Sequence, residues 1–130
     1  MSSLTRALTG PDLTFHLAAQ IEDLRRDESY ERTGRAGRTL VKDGPLRLTL
    51  TVLGPGIDVG TENAEGPISL QVLTGRLRYR AESGEEAEID AGELLFFGPG
   101  HARDLIALEE TALLLTVTPG DEDEGIARQL

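Results

Sequence analysis

The apolar positions of this 130-residue chain change their period once. Over residues 11–27, Leu13, Leu17, Ile21 and Leu24 recur at steps of four, four and three, which places them on one face of an α-helix. Thr9 or Gly10 is positioned to cap that helix, Pro11 suits its first turn, and Asp12 at its start and Arg25 and Arg26 at its end complement its dipole. His16 lies beside the stripe and reads as a packing or partly exposed residue. Residues 28–37 read as a polar linker broken by Gly34 and Gly37.

Beyond the linker the period becomes two. Leu46, Leu48, Leu50 and Val52 alternate with Arg47, Thr49 and Thr51, the pattern of a half-buried strand. Gly54-Pro55-Gly56 ends it, and Ile57 and Val59 continue a short strand to Gly60. Ile68, Leu70 and Val72 form the next alternating run, which turns at Thr74-Gly75 into Leu77, Tyr79 and Ala81. Further strands run through Ala87 and Ile89, Leu94–Phe97, Leu105–Leu108 and Ala112–Val117, separated by turns at Ser83-Gly84, Asp90-Ala91-Gly92, Gly98-Pro99-Gly100 and Glu109-Glu110. One helix followed by nine or ten short strands, with no helices between them, predicts an all-β antiparallel sandwich or barrel. The division predicted is a helix and linker over 1–37, a barrel over 38–118 and an acidic tail over 119–130.

Composition narrows the chemistry. The chain has no cysteine, which excludes disulfides, thiolate nucleophiles and cysteine-ligated metal sites. The formal charge of −10 arises mostly in residues 46–118, where twelve acidic residues accompany five basic ones. An acidic surface repels phosphate backbones, so neither nucleic acid nor an anionic membrane is expected as a partner. No basic and apolar leader is recognisable in Met1–Gly10, and the expected location is the cytoplasm. Arg76, Arg78 and Arg80 face away from Leu77 and Tyr79 and are expected to pair with Glu85, Glu86 and Glu88 across the Ser83-Gly84 turn.

Two stretches resemble the cupin superfamily. Ile68–Arg78 (ISLQVLTGRLR) is similar to the end of the first cupin motif. Ala91–Gly100 (AGELLFFGPG) is similar to the glycine- and proline-bearing core of the second. With the strands before them, the resemblance covers about residues 38–118. It implies a jelly-roll barrel, the double-stranded β-helix, with the N-terminal helix as an addition. It also implies a homodimer built on paired N-terminal strands, for which Arg38–Asp43 is the candidate edge.

The same resemblance implies a metal held by two histidines and a glutamate of the first motif and a histidine of the second. Aligned on Gly75, the glutamate position falls on Ile68. The histidine positions fall on Thr61 and Asn63, or on Glu62 and Ala64 with a loop one residue shorter. Aligned on Pro99-Gly100, the last histidine position falls on Arg103. Ile68 has no donor atom, and a guanidinium repels a cation. His101 is displaced by two residues from the expected slot, and a set of His101, Glu62 and Glu65 is a poor one for a transition metal. The expectation is a barrel without metal or other cofactor. Its mouth, bordered by Thr61, Asn63, Ile68, Tyr79, His101 and Arg103, would take a small anionic molecule or serve a structural or sensory role. Arg103 would grip a carboxylate, or else pair internally with Glu62 or near Asp104. The alternative is a metal-independent enzyme, isomerase- or epimerase-like, in which Tyr79 and His101 act as an acid/base pair on a small polar substrate.

Overall fold

Helix and strand boundaries follow the turn chemistry more closely than the broad polarity of the segments. The structure, a computed structural model, describes residues 10, 12–60, 66–98 and 102–118. Helix α1 spans Leu17–Arg25, shorter than the 11–27 stripe. Phe15 and the β-branched Thr14 are weak helix formers, and the cap falls on His16, whose Nδ1 accepts the Ala19 N–H at 3.2 Å. Residues 28–37 are not a linker. Asp27 caps a second helix, α2 (Glu28–Thr33), by accepting the Ser29 N–H at 2.8 Å, and Gly34 closes it in the left-handed conformation at φ 81°. Strand β1 (Arg35–Asp43) starts at once, three residues earlier than expected.

The remaining strands are β2 (Leu46–Leu53), β3 (Ile68–Thr74), β4 (Arg76–Ala81), β5 (Glu86–Asp90), β6 (Leu94–Phe97), β7 (Ala102–Ala107) and β8 (Thr111–Val117). They form a five-stranded sheet in the order β1-β2-β8-β3-β6 and a three-stranded sheet in the order β5-β4-β7, all antiparallel. Ile57–Val59 extends the smaller sheet beside β7. Asp58 bridges Ile106, the Val59 N–H donates to Leu105 O at 2.8 Å, and the Ala107 N–H donates to Ile57 O at 2.9 Å. The chain crosses from one sheet to the other between β3 and β4, β5 and β6, β6 and β7, and β7 and β8, and the two sheets face each other in a jelly roll.

Two cores result, one on each face of the larger sheet. The interior between the sheets is filled by Leu53, Val59, Ile68, Leu70, Val72, Leu77, Phe97, Leu105, Leu113 and Leu115. On the outer face, Ile21 and Leu24 of α1 pack against Ala36, Leu40, Leu50, Val52 and Ala112. The β2 alternation was therefore real but belongs to the second core: Leu50 and Val52 meet the helix, while Leu53 meets the barrel interior and Thr51 is buried beside it. Burial of a leucine such as Leu24 contributes about 2 kcal/mol, enough to hold so short a helix that would not persist alone.

A polar contact ties the helices to the β7–β8 turn. The Tyr30 hydroxyl donates to Glu110 Oε2 at 2.8 Å, and Arg25 Nε lies 3.3 Å from the same oxygen. Partial burial, then the hydrogen bond and charge of Glu110, raise the Tyr30 pKa above 10.0. A raised folded-state pKa favours the protonated phenol. The tether is therefore intact below pH ~10 and lost as pH rises through the folded value. In a Tyr79→Phe background Tyr30 is the sole tyrosine of the chain's two. Its phenolate absorbance near 295 nm should then appear later than that of free tyrosine, and Glu110→Gln should move the midpoint down. An unchanged midpoint in Glu110→Gln would contradict the coupling.

Candidate ligand site at the mouth of the barrel

One end of the jelly roll is bordered by the start of β3, the end of β6, the end of β8 and the outer half of β4. The register sets Ile68 opposite Phe97 on one side and Val117 on the other. Tyr79 and Leu77 point into the barrel because β4 alternates, with its three arginines on the opposite face. The Tyr79 ring meets Phe97 at a centroid distance of 5.9 Å and a 32° tilt. Val59 and Leu105 complete this apolar wall, against which Ile57 and the half-buried Tyr79 pack.

Of the six residues expected at the mouth, Ile68 and Tyr79 are brought together around Phe97. Ile68 is only 2% exposed, a core residue first and a lining residue second. Thr61, Asn63 and His101, together with Glu62 and Glu65, lie outside the described residues, as does the 119–130 tail. Arg103 belongs to β7, at the point where the pairing with β4 slips by one residue between Arg80 and Ala81. Its side chain is outside the described set. The register slip is a bulge, a device that re-aims a side chain at the rim of a barrel.

Asp104 is engaged by Arg80, whose Nε and Nη2 donate to Oδ2 at 3.1 and 2.5 Å. Alternation places Asp104 on the face away from Leu105, but its pairing across β4 and β7 with Arg80, 24 residues away, is not legible in the sequence. The arginine stripe follows expectation in part: Arg76 and Arg80 take carboxylate partners across the strands, whereas Arg78, expected to pair as well, makes no ion pair among the described residues and its Nε is buried without a hydrogen-bond partner there. Arg76 pairs with Asp90 at 2.8 Å and Glu88 at 3.9 Å, and Arg80 also lies 3.9 Å from Glu86. Glu85 precedes β5 and takes no part in these ion pairs. Hydrogen bonding to Asp90 and to Asp104 raises the pKa of Arg76 and Arg80 respectively, as expected of a solvated, charge-paired face. Two open grooves lie away from the mouth. One, of about 430 Å³, is lined by Thr33, Arg35, Ile57 and Asp58; the other, of about 290 Å³, by Arg78, Glu86, Ala87 and Glu88.

A metal of the kind the fold commonly carries does not fit the described part of the mouth. Ile68, which the resemblance sets at the glutamate position, is buried, flanked by Phe97 and Val117, and supplies no donor atom.

Strand order, the inner core and the position of this mouth define a jelly-roll barrel of the cupin type. Comparison with solved structures agrees. A cupin-2 domain protein from Shewanella frigidimarina superposes with a TM-score of 0.64 at 14% identity, over 81% of this chain and 94% of that one. An RmlC-like cupin from Desulfovibrio desulfuricans gives 0.61 at 14% identity, over 83% and 98%. The chain has the cupin fold. A mutant of salicylate 1,2-dioxygenase from Pseudoaminobacter salicylatoxidans, in complex with gentisate, matches with a TM-score of 0.72 at 18% identity, over 94% of this chain but 38% of the dioxygenase. No family model matches the chain, and no curated protein does. Among the described residues no helix is long and apolar enough to cross a membrane.

Proposed function

We propose that this cupin-fold chain is a metal-independent binder of a small carboxylate, held at the barrel mouth by Arg103 above the apolar wall of Ile68, Tyr79 and Phe97. The observation that carries the reading is Ile68. By the family resemblance it stands where a carboxylate ligand would, and it is sealed into the core at 2% exposure. An apolar wall with one tilted aromatic pair suits the body of an organic acid, and a single guanidinium suits its carboxylate. That the dioxygenase of similar fold is described in complex with gentisate, itself an aromatic acid, favours this ligand class.

The test has two arms. Protein produced in medium supplemented with iron, manganese, nickel and zinc, and purified without chelators, is expected to carry substoichiometric metal. A panel of aliphatic and aromatic carboxylates is then screened by thermal shift. A ligand at a hundred times its Kd should stabilise by about 2.7 kcal/mol, a rise on the order of 10 °C, and the rise should vanish in Arg103→Ala. Stoichiometric metal, or a shift that survives Arg103→Ala, would sink the proposal.

A further inference from the structure

Strand β6 closes one edge of the five-stranded sheet and pairs only with β3 among the described strands. Its inner residues, Leu95 and Phe97, face the barrel. Its outer residues, Leu94 and Phe96, take no part in the outer core beneath helix α1, which draws on β1, β2, β8 and Leu73 of β3. Leu94 and Phe96 are consequently 62% and 65% exposed, the two most exposed large apolar side chains of the described residues. The register sets Gln71 beside Leu94 and Ser69 beside Phe96, with Thr116 beyond Ser69. The outer face here is apolar or uncharged, on a chain of net charge −10. Glu93, adjacent in sequence, is turned back into its own turn, where its Oε1 accepts the Asp90 N–H at 2.7 Å.

The backbone of this strand is also open. The Glu93 carbonyl accepts the Val72 N–H on the β3 side at 3.0 Å. Carbonyls alternate along a strand, so the N–H and C=O groups of Leu94 and Phe96 point to the free edge. Native sheets normally protect such an edge with charge, proline or a bulge, and Leu94–Phe97 contains none of these.

We propose that β6 is a dimer interface, joined across a two-fold axis at Leu95 to β6 of a second copy. In that register Leu94 of each copy lies opposite Phe96 of the other, and the outward N–H and C=O groups of both residues form four hydrogen bonds. The two sheets become one continuous ten-stranded sheet. A second copy supplies what the edge needs: an equally uncharged strand, apolar side chains of the same parity, and unpaired backbone groups of matching spacing. Two acidic chains repel elsewhere on their surfaces, so contact through the uncharged strip is the approach their charge permits. The interface differs from the Arg38–Asp43 edge that the family resemblance implies; β1 forms the opposite edge of the same sheet.

Sedimentation equilibrium of the full chain from micromolar to hundreds of micromolar should show twice the monomer mass at the upper end. Phe96→Asp should return it to monomer with an unchanged far-ultraviolet spectrum. Hydrogen exchange on the unsubstituted chain supplies a reading that does not depend on that variant folding: the Leu94 and Phe96 amides should gain protection at least tenfold as concentration rises. A monomer throughout the range, a dimer that survives Phe96→Asp, concentration-dependent protection in β1 instead of β6, or β6 protection independent of concentration would each overturn the proposal.

Discussion

Gly75→Ala is expected to be among the most damaging single-methyl additions in this chain. Gly75 joins β3 to β4 at φ 91°, where a side chain costs about 1–2 kcal/mol from backbone sterics alone. A Cβ there would also stand 2.3 Å from the Glu110 carbonyl oxygen and 2.4 Å from Thr111 Oγ1. Neither neighbour can yield cheaply. Thr111 is fully buried, and its hydroxyl accepts the Arg76 N–H at 3.1 Å while donating to Glu109 O at 2.7 Å. Overpacking of this kind adds about 1–3 kcal/mol, for a total of roughly 2–5 kcal/mol against a typical folding stability of about 5–15 kcal/mol. The melting temperature should fall by about 10 °C or more. Gly84 supplies the control. Its φ is 99°, yet nothing lies within 4 Å of a Cβ built there, so Gly84→Ala should show the backbone cost alone. Equal losses in the two variants would refute the close-approach argument.

What could be read in advance depended on how local the cause was. Gly75 was legible as a turn because positive φ is a property of the residue itself. That the turn abuts Glu110 and Thr111, 35 and 36 residues away, could not be read from any local pattern. The same division holds for the strands. Alternation in β4 predicted which face carries Arg76, Arg78 and Arg80, and the structure agrees. Alternation in β2 identified the apolar set but not its partner, because a period of two says that one face is buried and is silent about what buries it. Helix α2 was missed although both of its caps, Asp27 and Gly34, stand in the sequence; a polar six-residue helix has no hydrophobic period to announce it. At the mouth, Ile68 is placed by its distance from Gly75, across a stretch of β3 whose pairing with β8 slips between Val72 and Thr74. Arg103 was placed from Pro99-Gly100 across a segment with a register slip, and an offset of one residue there redirects a side chain to the other face.

Ile68→Glu turns the reading of the mouth into a measurement. It restores the carboxylate that a metal-binding relative of this fold would carry, at a position enclosed by Phe97, Val117 and Leu70. An uncompensated buried charge costs about 3–5 kcal/mol. Burial would therefore hold the new carboxyl well above the ordinary glutamate range. The sign follows: the folded state binds the extra proton more tightly than the unfolded state, so stability falls as pH rises from about 4.3 through the folded value. The deficit in melting temperature relative to the parent should be smallest near pH 4 and widest at neutral pH. Addition of Fe(II), Mn(II), Ni(II) or Zn(II) should leave the deficit unchanged, because a single carboxylate does not make a site. Recovery of stability on adding any of these ions would mean that residues 61–65 and 101–103 still supply the remaining ligands, and the metal-independent reading would fall with it.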